Sequence, residues 1–109
     1  MKAVSFDRPG SAGVMKIINC EKPKINNNQI LINVKYAGIN RPDIIQREGN
    51  YPAPSNHSQI LGLEVSGIVH EIGSKVKRFE KGDEVAALVN GGGYAEYCVS
   101  EEDTTFKIP

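Results

Sequence analysis

The side chains best placed to do chemistry stand together in one short stretch: Asn40, Asp43, Gln46, Arg47 and Tyr51. Amide, carboxylate, guanidinium and phenol groups at the start of a helix and in the loop after it can grip the carbonyl or amide of a ligand. The same residues also have structural uses. Asn40 can cap a helix, Asp43 can complement its dipole, and Tyr51 can anchor a loop with its ring half buried. Residue type alone favours these uses, so the chemistry of the cluster stays open at this level.

Other chemistries find less support. Glycine is abundant, with 11 residues, yet no G-x-G-x-x-G occurs, and the Gly62 to Gly67 spacing is followed by Ile68 and Val69 where a phosphate loop needs Lys and Ser or Thr. These glycines read as bends in a curved sheet. Zinc needs three or four converging ligands, whereas His57, His70, Cys20 and Cys98 are scattered singly, so no metal site is expected. No G-x-S-x-G elbow accompanies the serines, which argues against a hydrolase. Cys20 and Cys98 lack C-x-x-C spacing and read as ordinary buried thiols. His70 shares a strand face with Ile68 and is expected to be partly covered. Asn56-His57-Ser58 matches a glycosylation sequon, read as chance because no secretory signal precedes it.

The elements that must position the cluster are mainly strands. Val and Ile together number 21 against 4 Leu, and β-branched side chains favour pleated surface. Strands are predicted over 1–6 and 15–19, joined by the turn-forming stretch from Arg8 to Gly13. A third, from Gln29 to Tyr36, alternates with Ile30, Ile32 and Val34 on one side and Leu31, Asn33 and Lys35 on the other, and one of the two faces is expected to be buried. Asn40, Pro42, Asp43 and Gly49 delimit one short helix, followed by a strand-free loop over 50–56. Further strands are predicted over 65–72, with Gly67 allowing a bend or close backbone approach, over 84–89 and over 93–99. Many short strands with one short helix describe a partly open barrel or a sandwich.

The sequence has 109 residues, room for one core-forming domain. Thirteen basic and thirteen acidic side chains balance, which argues against nucleic-acid or membrane-surface partners, and no apolar run approaches the ~18 residues of a membrane span. A cytoplasmic location is expected.

The order Ala37-Gly38-Ile39-Asn40-x-x-Asp43-x-x-x-Arg47-x-Gly49-x-Tyr51-Pro52, then Leu61-Gly62-Leu63-Glu64-x-x-Gly67-x-Val69-x-x-x-Gly73-x-x-Val76, then Gly82-Asp83-x-Val85 and Gly92-Gly93-Tyr94-Ala95-Glu96-Tyr97, resembles the medium-chain dehydrogenase/reductase superfamily. Within it the chain is similar to the zeta-crystallin or NADPH:quinone oxidoreductase group, and the likeness covers nearly all residues. It implies a mainly β, GroES-like, partly open barrel with one or two short helices. This would be the N-terminal, substrate-side domain of a two-domain oxidoreductase, spanning 1–109, with the Rossmann cofactor domain beyond Pro109 and the chain a piece of a longer protein.

The resemblance also implies the chemistry. Zinc alcohol dehydrogenases of the superfamily carry Cys where this chain has Asn40 and His where it has Leu63, so zinc independence is expected. Asn40 and Tyr51 match positions facing the nicotinamide and substrate cleft, and are the expected catalytic and cofactor-binding residues. Arg47, Asp43 and Glu64 are expected mainly as structural supports, with a place for Asp43 and Glu64 directly behind the residues that touch the substrate as the alternative, and Ile45 stands where some members have Tyr. The implied reaction is reduction of quinones or other conjugated carbonyls by NADPH or NADH, by hydride or single-electron transfer, in a homodimer. The 109-residue piece alone is expected to be inactive. The rival reading is a free-standing GroES-like barrel serving as an interaction or co-chaperone module. It would need a mobile apolar contact loop, which the sequence does not display.

Overall fold

A computed structural model describes residues 1–49 and 60–109. Strands β1 (Lys2–Phe6) and β2 (Met15–Asn19) form an antiparallel hairpin. Strands β3 (Gln29–Ala37), β4 (Glu64–Ile72), β5 (Glu84–Leu88), β6 (Tyr97–Glu101) and β7 (Thr105–Lys107) form a curled antiparallel sheet in the order β6-β3-β4-β5-β7. The one α-helix among the described residues, α1 (Arg41–Arg47), follows β3, and 3₁₀ turns at Ala12–Val14 and Glu102–Thr104 complete the described elements. The mainly β architecture with a curled, partly open sheet expected from the sequence is the one observed.

The core lies on the concave side of the sheet. Ile30 and Ile32 of β3, Val65 and Val69 of β4, Val85 and Ala87 of β5 and Cys98 of β6 pack with Val76 and Phe79 from the β4–β5 connection. Burial along β3 is not confined to one face. Leu31 is fully buried outside this cluster, between two fully buried isoleucines. The pairing of β3 with β4 shifts register between Leu31 and Ile32 and again between Val34 and Tyr36. At the first shift the extra residue, His70, is on β4, while β3 keeps unbroken register with β6 from Gln29 to Asn33, so Leu31 faces away from Ile30 and Ile32 and is buried on the other side of the sheet. Gly67 sits opposite this irregular stretch, and a Cβ there would overlap the Asn33 carbonyl oxygen, so the close backbone approach expected of it is present.

Three local expectations need correction. Cys20 is only half buried, because it follows β2 at the outer hairpin, while Cys98 is buried in the core. His70 is exposed, since the face it shares with Ile68 is the convex one; its ring lies 4.9 Å from that of Tyr97, and Lys22 Nζ is 3.3 Å from its Nε2. The strand expected over 93–99 begins only at Tyr97, Ala95 making an isolated bridge to Ala3. The segment before Tyr97 is used instead to join the hairpin to the sheet. Val4 N–H donates to Tyr94 O (2.8 Å), Glu96 N–H to Lys2 O (3.0 Å) and Val34 N–H to Glu96 O (2.8 Å).

Burial raises the Cys98 thiol from its ordinary 9.0 to about 12. A raised pKa stabilises the fold fully below the unfolded value and progressively less above it. Stability to urea is therefore expected to fall between pH 9 and 12, by at most about 1.4 kcal/mol per pH unit. Cys98→Ala should flatten that decline between pH 9 and 10, at a lower baseline; an unchanged slope would reject the assignment.

Candidate functional site

The cluster is built where α1 leaves β3. Asn40 has extended backbone (φ −127°, ψ 156°) and stands at the N-cap, with Pro42 in the first turn where its missing N–H costs nothing. Asp43 reaches back, its Oδ2 accepting the Asn40 backbone N–H at 3.0 Å, while its own backbone N–H donates to the Asn40 carbonyl at 3.0 Å. This fixes the backbone of residue 40 and so the direction from which its half-buried amide side chain projects.

Asp43 does more than a surface cap would. It is 2% exposed, and its Oδ2 also accepts the Tyr94 hydroxyl at 2.6 Å. Its Oδ1 is buried without a hydrogen-bond partner among the described residues. Burial, followed by the hydrogen bond to Asp43 and that residue's negative charge, pushes the Tyr94 phenol above its ordinary range, so it remains a protonated donor at neutral pH.

Tyr94 is delivered by a seam of glycines. Gly62 has φ +110°, and a Cβ on it would lie 2.7 Å from Gly93 Cα, 2.7 Å from Tyr94 N and 2.8 Å from Tyr94 Cδ1. Across this seam Tyr94 N–H donates to Leu61 O (2.9 Å) and Gly92 N–H to Ile60 O (2.7 Å). Only the absence of a side chain at 62 lets the two segments run close enough for the Tyr94 ring to reach α1.

The supporting residues are also placed. Arg47 Nε donates to Gly10 O (3.1 Å) and Gly10 N–H to Arg47 O (3.0 Å), tying the end of α1 to the β1–β2 connection. Glu64 is exposed, and its side chain occupies the space that a Cβ on Gly38 would take. Tyr51, the other expected site residue, lies outside the described residues, as do His57 and the loop 50–56. Tyr94 stands within the Gly92-to-Tyr97 motif, where its residue type and spacing assign it no role.

Among the described residues no group of three or more His, Cys, Asp and Glu gathers as a metal site would require, and no helix is long and apolar enough to cross a membrane.

This fold is that of the GroES-like domain of dehydrogenase-type oxidoreductases. The chain belongs to the alcohol dehydrogenase GroES-like domain family, within the medium-chain dehydrogenase/reductase superfamily, with residues 26–109 matching the family. Over its whole length it is 33% identical to the human synaptic vesicle membrane protein VAT-1 homolog-like, covering 26% of that protein. It is 35% identical over 111 aligned positions to the quinone oxidoreductase of Sus scrofa, covering 34% of it. The structure of Escherichia coli quinone oxidoreductase complexed with NADPH superposes on the entire chain with a TM-score of 0.91 at 31% identity, and 33% of that chain is covered. The chain thus spans about a quarter to a third of the length of the relatives it matches.

Proposed function

We propose that the chain is the substrate-side domain of a zinc-independent, NAD(P)H-dependent oxidoreductase that reduces quinones or other conjugated carbonyls. The observation that carries this reading is Asn40, a neutral amide whose backbone is fixed by Asp43; by the resemblance, zinc-dependent members of the superfamily carry a Cys ligand at this position. The superposition of the whole chain on a third of an NADPH-complexed quinone oxidoreductase supports it.

A bound nicotinamide cofactor supplies the reducing equivalent. The domain's own contribution is to hold the reacting oxygen. As hydride reaches the substrate, negative charge grows on that oxygen, and the Asn40 side-chain amide donates to it, doing electrostatically what a metal does elsewhere. Tyr51 is the second proposed donor. The chain has no glycine-rich phosphate cradle, so a second, Rossmann-type domain outside these 109 residues holds the cofactor's phosphates, and the domain alone turns nothing over. The working form is a cytoplasmic homodimer.

The test is NADPH oxidation by the enzyme carrying this domain, with a benzoquinone and with an enone as acceptors, before and after incubation with a zinc chelator. Turnover that survives chelation is expected. Loss of turnover with the chelator would overturn zinc independence, and no turnover with either acceptor would overturn the substrate class.

A further inference from the structure

We infer that Asp43 and Tyr94 form a positioning pair that acts on the reaction through Asn40. The inference rests on the reading of Asn40 given above and adds two residues to it.

Helix capping does not require what is seen at Asp43. A cap works equally well at the surface, where water serves the second carboxylate oxygen. Here the carboxylate is 2% exposed, Oδ1 has no partner among the described residues, and Oδ2 takes both the Asn40 N–H at 3.0 Å and the Tyr94 hydroxyl at 2.6 Å. Leaving a buried acceptor unsatisfied costs about 1–3 kcal/mol, and more for a charged group, so such groups call for an explanation. The geometry offers one. Asp43 is clamped from one side by a phenol belonging to the rigid Gly62–Gly93 seam, and from the other it holds the backbone of residue 40. Orientation passes from the seam to Tyr94, to Asp43 and to Asn40 through two short hydrogen bonds. Without the Tyr94 hydroxyl the carboxylate is free to rotate, and the Asn40 backbone loses its fixed partner. A site that stabilises charge by preorganised donors is sensitive to displacements of this kind.

The test has two arms. In the 109-residue chain, Tyr94→Phe keeps the ring and removes only the hydroxyl. It should speed hydrogen exchange of the Asn40 backbone N–H by about tenfold or more, while the Val69 N–H of β4, bonded to Asp83 O in the turn before β5, exchanges as before. Unchanged exchange at Asn40 would overturn the pair. In the enzyme carrying this domain, Tyr94→Phe should lower kcat about tenfold with KM little changed, and cost less than about twofold when Asn40 is already Ala. A full tenfold loss in the Asn40→Ala background would overturn action through Asn40, because a general loss of structure would add to the first mutation. An Asn40→Ala enzyme at wild-type rate overturns the reading of Asn40 and the pair's catalytic consequence together, while the exchange arm still decides whether the pair orders residue 40.

Discussion

Asn40→Ala is expected to lower kcat for quinone reduction by about 10²- to 10³-fold, with a much smaller change in KM. This is the range found when one preorganised donor to a developing oxyanion is removed. The split between the two constants follows from where the charge is. A ground-state carbonyl oxygen carries little, so an amide donor contributes modestly to substrate binding; the oxygen of the transition state carries most of a charge, and there the donor matters. Asn40→Asp should be at least as damaging, because a carboxylate would meet that charge with its own. Folding sets a side condition. Asn40 stands at the N-cap of α1, and losing a cap residue costs about 0.5–2 kcal/mol, so rates should be compared well below the melting transition of the variant. Steady-state kinetics with a quinone acceptor decide the matter, and a kcat within twofold of wild type would remove Asn40 from the reaction.

The scaffold for this site was largely readable from residue pattern, and the reasons differ from element to element. β4 and β5 could be placed because buried Val65 and Val69 and buried Val85 and Ala87 alternate with less buried neighbours between turn-forming glycines. The helix was bracketed by Asn40, Pro42 and Asp43 at one end and Gly49 at the other, all acting within one turn of where they stand. Leu31 does alternate with Ile30 and Ile32, in unbroken register with β6, but its side of the strand is buried as well, and alternation within one strand does not say whether the second face is covered. Alternation also misjudged His70: Ile68 is apolar but points to the convex face, so apolarity named the wrong side as covered. β7 is three residues long, too short to show a period. At the site, Asn40 and Asp43 were legible as a cap because they are three residues apart. The Tyr94 to Asp43 bond spans 51 residues, and no local rule brings a Gly-Gly-Tyr turn to a helix start. The signal for it lay in Gly62 and Gly93, whose need for small size becomes specific only when the two segments are seen to cross.

That crossing yields the largest expected effect on stability. Gly62 and Gly82 both adopt positive φ, +110° and +93°, so alanine at either position meets a comparable backbone penalty of about 1–3 kcal/mol. Their surroundings differ. At Gly82 a Cβ would find nothing within 4 Å, whereas at Gly62 it would lie 2.7 Å from Gly93 Cα and from Tyr94 N. Those are backbone atoms held by the Tyr94 to Leu61 and Gly92 to Ile60 hydrogen bonds, and no rotamer change can move them aside. Gly62→Ala is therefore expected to cost at least about 2 kcal/mol more than Gly82→Ala in urea unfolding, the difference being the overpacking part of the effect. Equal costs would mean that the seam opens easily and that glycine is needed at 62 only for its φ. The consequences for the site diverge in the same way. Prying the seam apart displaces Tyr94, so Gly62→Ala should also speed exchange of the Asn40 N–H, and Gly82→Ala, far from that chain of contacts, should leave it unchanged.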